Sequence, residues 1–115
     1  MFDKKISFVI PCYYSQDTIS DVVSDICKEF PESEYNIEIV LVNDGSKDNT
    51  FQVLKSLANK DSRIVAINQS KNFGQDATTM CGLTNATGDY MVVLDDDGQN
   101  PPSEAHKLLE EIEKG

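Results

Sequence analysis

The sequence lacks an excess of positive charge, a cysteine framework, a glycine-rich phosphate loop and any apolar run longer than a strand. Its 115 residues carry 20 acidic against 10 basic side chains, a formal net charge of -10, so the surface repels anionic lipid headgroups and nucleic acid, and no nucleic-acid partner is expected. Cys12, Cys27 and Cys81 lie far apart with no Cys-x-x-Cys pair, which excludes a disulfide scaffold and reads as buried thiols in a reducing, cytoplasmic setting. No stretch suits a signal peptide or a membrane span; membrane association of a full-length protein is left to segments outside this chain. The absence of a Walker-type loop and of Gly-x-Gly-x-x-Gly disfavours classical NTP hydrolysis and dinucleotide binding.

What is present is ordinary for a globular fold: 39% apolar and 26% charged residues over a length that suits one domain, 1–115. Apolar segments over 6–10, 37–42, 64–67 and 90–94 read as strands, the first ended by Pro11 and the last the most apolar and buried of the set. Between them, Ile19, Val22, Val23, Ile26, Cys27 and Phe30 form a helical stripe with Asp17 or Thr18 as N-cap. Phe51, Val53, Leu54, Leu57 and Ala58 form a second, capped by Ser46 or Asp48, and a weaker helix is expected over 76–86. Ala105, Leu108, Leu109 and Ile112 give a last apolar helix face, opened by Ser103 after two prolines. The alternation βαβαβαβα predicts an α/β fold: a mostly parallel sheet, helices on both faces, and ligands at the carboxyl ends of the strands.

The chemistry concentrates at those ends. Asp95, Asp96 and Asp97 follow the fourth strand directly, and three adjacent carboxylates repel one another unless a cation neutralises them. A hard divalent ion, Mg2+ or Mn2+, suits oxygen ligands, takes one or two protein carboxylates and completes its shell with substrate phosphates. Asp95 and Asp97 can both face such an ion from an extended turn, with Gly98 allowing close approach and Pro101 and Pro102 fixing the exit. The bland alternative is a solvated acidic loop that favours the next helix through its dipole. Asp44, in Asn43-Asp44-Gly45-Ser46, is either a hydrogen-bond acceptor for a base or sugar or part of an Asp-Gly turn. Pro11-Cys12-Tyr13 offers either an aromatic platform for a base or a rigid turn with a core tyrosine. Asn72-Phe73-Gly74-Gln75 could turn backbone N–H groups toward an anion or simply make a tight turn, and Lys71 meets a phosphate or solvent. His106, the single histidine, reads as an exposed structural residue.

Taken together, Ser7-Phe-Val-Ile-Pro-Cys-Tyr13, Ile39-Val-Leu-Val-Asn-Asp-Gly-Ser-Lys-Asp-Asn-Thr50 and the aspartate segment resemble the N-terminal half of family 2 glycosyltransferases, which have the Rossmann-like GT-A fold. Asn72-Phe-Gly-Gln and Leu94-Asp-Asp-Asp-Gly-Gln-Asn-Pro-Pro102 are most similar to the branch that includes dolichol-phosphate mannose synthase and bacterial polyprenyl-phosphate glycosyltransferases. The resemblance implies a nucleotide-sugar donor and a lipid-phosphate or saccharide acceptor, with inversion at the anomeric carbon. It implies that Pro11 and Tyr13 border the base, Asp44 contacts the nucleoside and Asp96 lies near the ribose or sugar. Asp95 and Asp97, with Gln99 as a further candidate, would surround Mn2+ or Mg2+. The chain departs from the family pattern at Tyr14 and Ser15, where Asn and an acid are usual, at Asn43 in place of a second aspartate, and at Gly98 in place of an apolar residue. Acceptor elements follow this segment in the family, so the fragment alone is expected to bind donor weakly and not to turn over. Two rivals share parts of the pattern: a haloacid-dehalogenase phosphatase, with Asp95 as nucleophile, and a phosphorylation-dependent receiver domain.

Overall fold

Runs of β-branched residues and amphipathic stripes assemble into a four-stranded, wholly parallel sheet in the computed structural model, which describes residues 3–114. Met1, Phe2 and Gly115, the ends of the expected domain, lie outside the described residues. In chain order the elements are β1 (Lys5–Cys12), α1 (Ile19–Glu29), β2 (Asn36–Asp44), α2 (Thr50–Lys60), β3 (Ile64–Gln69), α3 (Gln75–Asn85), β4 (Tyr90–Val93) and α4 (Pro102–Lys114). The sheet order is β3-β2-β1-β4. The chain steps outward from β1 to β3, then returns to lay β4 on the other side of β1. That reversal makes a topological switch point between β1 and β4, where loops leaving the carboxyl ends diverge and open a crevice.

Both faces are covered, as expected. On one, Ile6, Phe8 and Ile10 of β1 and Ile39 and Leu41 of β2 pack with Ile19, Val22 and Ile26 of α1, Leu54 of α2 and Leu109 of α4. On the other, Val9, Val40 and Val42 meet Cys81 and Leu83 of α3. Each fully buried aliphatic side chain contributes about 2 kcal/mol by leaving water, so the larger cluster fixes the strand register.

Several expectations are corrected. Pro11 does not end β1; it lies within it, opposite Val42. The carbonyls of Lys5 and Val9 accept from Asp89 and Leu94, so the odd residues of β1 turn their polar groups toward β4. β4 pairs no further than Val93 opposite Val9, and the N–H that proline lacks would have had no strand to meet. β4 is not a buried strand. It forms a sheet edge with Met91 and Val93 exposed, because α3 packs over β1 and β2 rather than over β4. In α4, which begins at Pro102, Leu109 is buried while Leu108 and Ile112 are exposed, so the apolar face is narrower than its sequence suggests. Ser46 does not cap α2; Asp48 Oδ1 accepts from Thr50 N (3.0 Å) and Oγ1 (2.6 Å). His106 is half-buried rather than exposed: its ring lies 5.0 Å from Phe30, with Tyr35 Oη 2.7 Å from Nε2 and Glu29 Oε1 2.7 Å from Nδ1.

At the amino ends of the strands, Glu38 accepts from Ser7 Oγ (2.8 Å) and Thr87 N (2.9 Å), with Lys5 Nζ 3.9 Å away. Burial by itself would raise its pKa, but the Thr87 N–H, the Ser7 hydroxyl and the Lys5 ammonium outweigh it and hold the carboxyl below its ordinary value.

Candidate functional site

A cavity of about 350 Å³ opens at the carboxyl end of the sheet, over the β1/β4 switch point. Pro11, Tyr13, Asp44, Asp95, Asp96, Asp97 and Gln99 all line it, so the residues expected to hold nucleotide and metal reach one space, whereas Lys71 and His106 do not. They converge because β1, β2 and β4 are parallel and send the loops after them to the same edge of the sheet. Asn72, Gly74 and Gln75, from the loop entering α3, and Cys12 complete the wall. Burial pushes the Cys12 thiol pKa up, and the nearby Asp96 charge pushes it further, so Cys12 stays a neutral part of the wall.

The loop after β1 is stitched by three successive backbone donors. Tyr13 N–H donates to Asp96 Oδ2 (2.9 Å), Tyr14 N–H to Ser46 Oγ (2.9 Å) and Ser15 N–H to Thr50 Oγ1 (3.0 Å). Tyr14 takes φ 50, a left-handed conformation that costs a non-glycine residue about 1 kcal/mol. The Ser46 bond and the edge-on contact of the Tyr13 and Tyr14 rings, 4.6 Å apart, hold it there. Tyr13 keeps half its surface exposed at the cavity mouth and is not a core tyrosine.

Asp44 is buried, yet one oxygen has a single partner, the N–H of Phe73 at 2.8 Å. Gly45 takes φ 72, and a Cβ on it would lie 2.3 Å from the carbonyl carbon of Lys71, so glycine is needed for the β2 loop to touch the loop entering α3. The Asn72–Gln75 backbone is less available to an anion than its sequence suggests, since Phe73 N–H is held by Asp44 and Gly74 N–H by Asn72 Oδ1 (3.0 Å). Lys71 sits over the Phe73 ring, 5.2 Å from its centroid, and not in this cavity. It lines a second, neighbouring cavity together with Lys47, Tyr13 and Tyr14.

The three aspartates are held differently. Asp95 Oδ2 accepts from Asn100 Nδ2 (2.7 Å), and Asp97 Oδ1 accepts from Gln99 N–H (3.1 Å). Asp96 bridges the crevice: its carboxylate holds Tyr13 N–H, and its backbone carbonyl accepts from Thr18 Oγ1 at 2.7 Å. Thr18 precedes α1 but gives its hydroxyl to this contact instead of capping the helix. Gly98 allows no close approach, since nothing comes nearer than 4.0 Å to a Cβ built on it; it supplies φ 80, which turns the chain back toward Asp95. Among the described residues no lysine, arginine or histidine pairs with Asp44, Asp95, Asp96 or Asp97. Nor do three or more acidic, cysteine or histidine side chains converge as a complete metal cage. An all-oxygen set with one or two carboxylates and room for phosphate fits a cation that shares its shell with a ligand. The supporting roles of Thr18, expected only as a helix cap, and of Asn100 are not legible in the sequence, because nothing local marks a hydroxyl or an amide that acts across a turn.

A model of the family Glycosyl transferase family 2 matches residues 7–115. The chain belongs to glycosyl transferase family 2. An undecaprenyl-phosphate 4-deoxy-4-formamido-L-arabinose transferase of Proteus mirabilis (strain HI4320) is 37% identical over 112 residues, covering 96% of this chain and 34% of that protein. The protein of the same name from Yersinia pestis bv. Antiqua (strain Angola) is 40% identical over 116 residues, covering 97% and 35%. The chain thus spans about a third of the length of the curated relatives it matches. Among solved structures, S. aureus TarS 1-349 in complex with UDP-GlcNAc superposes with a TM-score of 0.73 at 25% identity, covering 93% of this chain and 31% of that one. Mannosyltransferase PcManGT from Pyrobaculum calidifontis, in complex with GDP-Man and Mn2+, has the same fold, with a TM-score of 0.72 at 21% identity over 84% of this chain and 28% of that one. The family 2 membership and the Rossmann-like GT-A half are therefore as the motifs implied. Neither rival is favoured: the aspartate loop follows an edge strand late in the chain rather than opening the core, and β1 ends in Pro11-Cys12-Tyr13 rather than in acids.

Proposed function

We propose that this chain forms the donor-binding part of an inverting glycosyltransferase that moves a sugar from a nucleotide-sugar to a polyprenyl phosphate. The observation that carries the reading is the single cavity at the β1/β4 switch point, where Tyr13, Asp44 and the three aspartates meet in a family 2 chain. Tyr13 and Pro11 border the base, and Asp44, its carboxylate pre-oriented by Phe73 N–H, accepts a hydrogen bond from the nucleoside. Asp96 lies at the ribose or sugar while tying β4's loop to β1's. Asp95, Asp97 and Gln99 hold Mn2+ or Mg2+, which supplies positive charge to the departing diphosphate. The relatives' undecaprenyl-phosphate acceptor supports a lipid phosphate here. Such an acceptor is already anionic, so its oxygen attacks the anomeric carbon without a general base as the bond to the nucleotide breaks and the electron pair leaves with the diphosphate. The acceptor elements, and any membrane association, belong to the part of the relatives this chain does not span, and the chain alone binds donor without turnover.

A thermal-shift panel of UDP-, GDP- and CDP-nucleotides with and without Mn2+, on the wild-type chain and on Asp97→Ala, tests the reading. One nucleotide class should stabilise the wild type weakly without metal and by about 3 kcal/mol with it at a hundredfold excess over Kd, and the metal's increment should be lost in Asp97→Ala. Stabilisation by none of them would overturn the donor site.

A further inference from the structure

We propose that Asn100 is a positioning residue of the donor site: it holds Asp95 by one oxygen so that the other faces the divalent ion. The inference rests on the donor reading above but concerns a residue that reading does not use. Asn100 Nδ2 donates to Asp95 Oδ2 at 2.7 Å, among the shortest side-chain contacts at this end of the sheet. The chain is shaped to deliver it. Gly98 reverses direction at φ 80, Asp97 accepts from Gln99 N–H, and the loop closes back on Asp95 over five residues. Pro101 then confines Asn100 to extended backbone, and Pro102 begins α4, whose Leu109 is buried in the main core. The amide is thus presented from a stiff segment anchored to the fold.

A neutral donor is the group the chemistry asks for. An unrestrained Asp95 would swing away from Asp96 and Asp97 under their repulsion. A lysine at position 100 would hold it but neutralise the charge that attracts the ion. An amide fixes the carboxylate and leaves its charge intact, as hydrogen-bonded partners of metal ligands generally do, and losing such a partner costs about 10- to 100-fold in metal affinity.

The experiment titrates Mn2+ by EPR into the full chain with whichever nucleoside diphosphate binds it, for wild type, Asn100→Ala, the near-isosteric Asn100→Leu, Asn100→Lys and Asp97→Ala. Asn100→Ala and Asn100→Leu should each weaken Mn2+ binding about tenfold, and Asn100→Lys more, with melting in EDTA and metal-free nucleotide affinity unchanged. Wild-type Mn2+ affinity in both uncharged variants would overturn the inference while leaving the donor reading intact. A parallel loss of metal-free nucleotide affinity would also overturn it, by making Asn100 a support of the whole loop. A wild type that takes up no Mn2+ with any nucleotide overturns the donor reading, and this inference with it.

Discussion

Glu38, near the amino ends of the strands, and Asp95, Asp96 and Asp97, beyond the carboxyl end of β4, are carboxylates on one parallel sheet with opposite treatment. Glu38 is surrounded by donors: the Ser7 hydroxyl, the Thr87 N–H and the Lys5 ammonium. The aspartates receive only neutral donors, from Asn100, Tyr13 and Gln99, and no basic side chain among the described residues. Where charge serves the fold it is neutralised within the fold. Where it is left uncompensated within the fold, the carboxylates stay available to a cation, as the proposed donor site requires. Structural order at the site end rests instead on the backbone, through the stitched β1 loop and the contact of Gly45 with the loop entering α3.

The largest effect should come from that backbone contact. Gly45→Ala forces a Cβ to 2.3 Å from the Lys71 carbonyl carbon at φ 72, so both strain and clash oppose it. A loss of about 3 kcal/mol in urea unfolding is expected, together with loss of metal-dependent nucleotide binding, because Asp44 and Phe73 are pushed apart. A neutral result would mean that the loops at the site end are less tightly joined than the amino end.

Glu38→Ala should come next, at about 2 kcal/mol, since it strands the Thr87 N–H and the Ser7 hydroxyl. The nucleotide-with-Mn2+ shift should be untouched, as the residue lies at the far end of the sheet. Loss of that shift in a still-folded Glu38→Ala would break the division between the two ends.

The amino end also sets the acid limit. Glu38 is held below its ordinary value of 4.5, against burial, by Thr87, Ser7 and Lys5, and Asp61 is held below 3.8 chiefly by the Arg63 hydrogen bonds. A carboxyl whose folded pKa is depressed adds stability that is complete above its unfolded value and fades as pH falls through the folded one. Melting temperature should therefore fall below about pH 4.5, and Glu38→Gln should flatten part of that slope. An unchanged slope would remove Glu38 from the set of groups whose protonation unfolds the chain.

Much of this was legible in the sequence, because the alternation of periods fixes the elements and parallel strands bring their ends to one edge. That is how Pro11, Tyr13, Asp44 and the aspartates could be read as one group before their distances were known. What stayed hidden depends on order in space. That β4 is an edge, leaving Met91 and Val93 exposed, follows from the β3-β2-β1-β4 order, which no local pattern encodes. Pro11 looked like a terminator because the side of β1 it faces was unknown. Asn100, Thr18 and the N–H of Tyr13 act across turns, through groups that almost any sequence supplies.

The smallest expected effect is the most diagnostic. Asp97 is exposed, and its one internal contact, from Gln99 N–H, is local. Removing its charge should relieve repulsion from Asp95 and Asp96, so Asp97→Asn in EDTA should melt about one degree higher than the wild type, within the range of surface substitutions. The same variant should lose stabilisation by nucleotide and Mn2+, reversing the order of the two proteins once ligand is added. Glu38→Gln should show no such crossing, because its partners are part of the fold. If Asp97→Asn instead melts lower in EDTA, its carboxylate serves the fold as Glu38 does, and the contrast between the two ends of the sheet fails at its most exposed point.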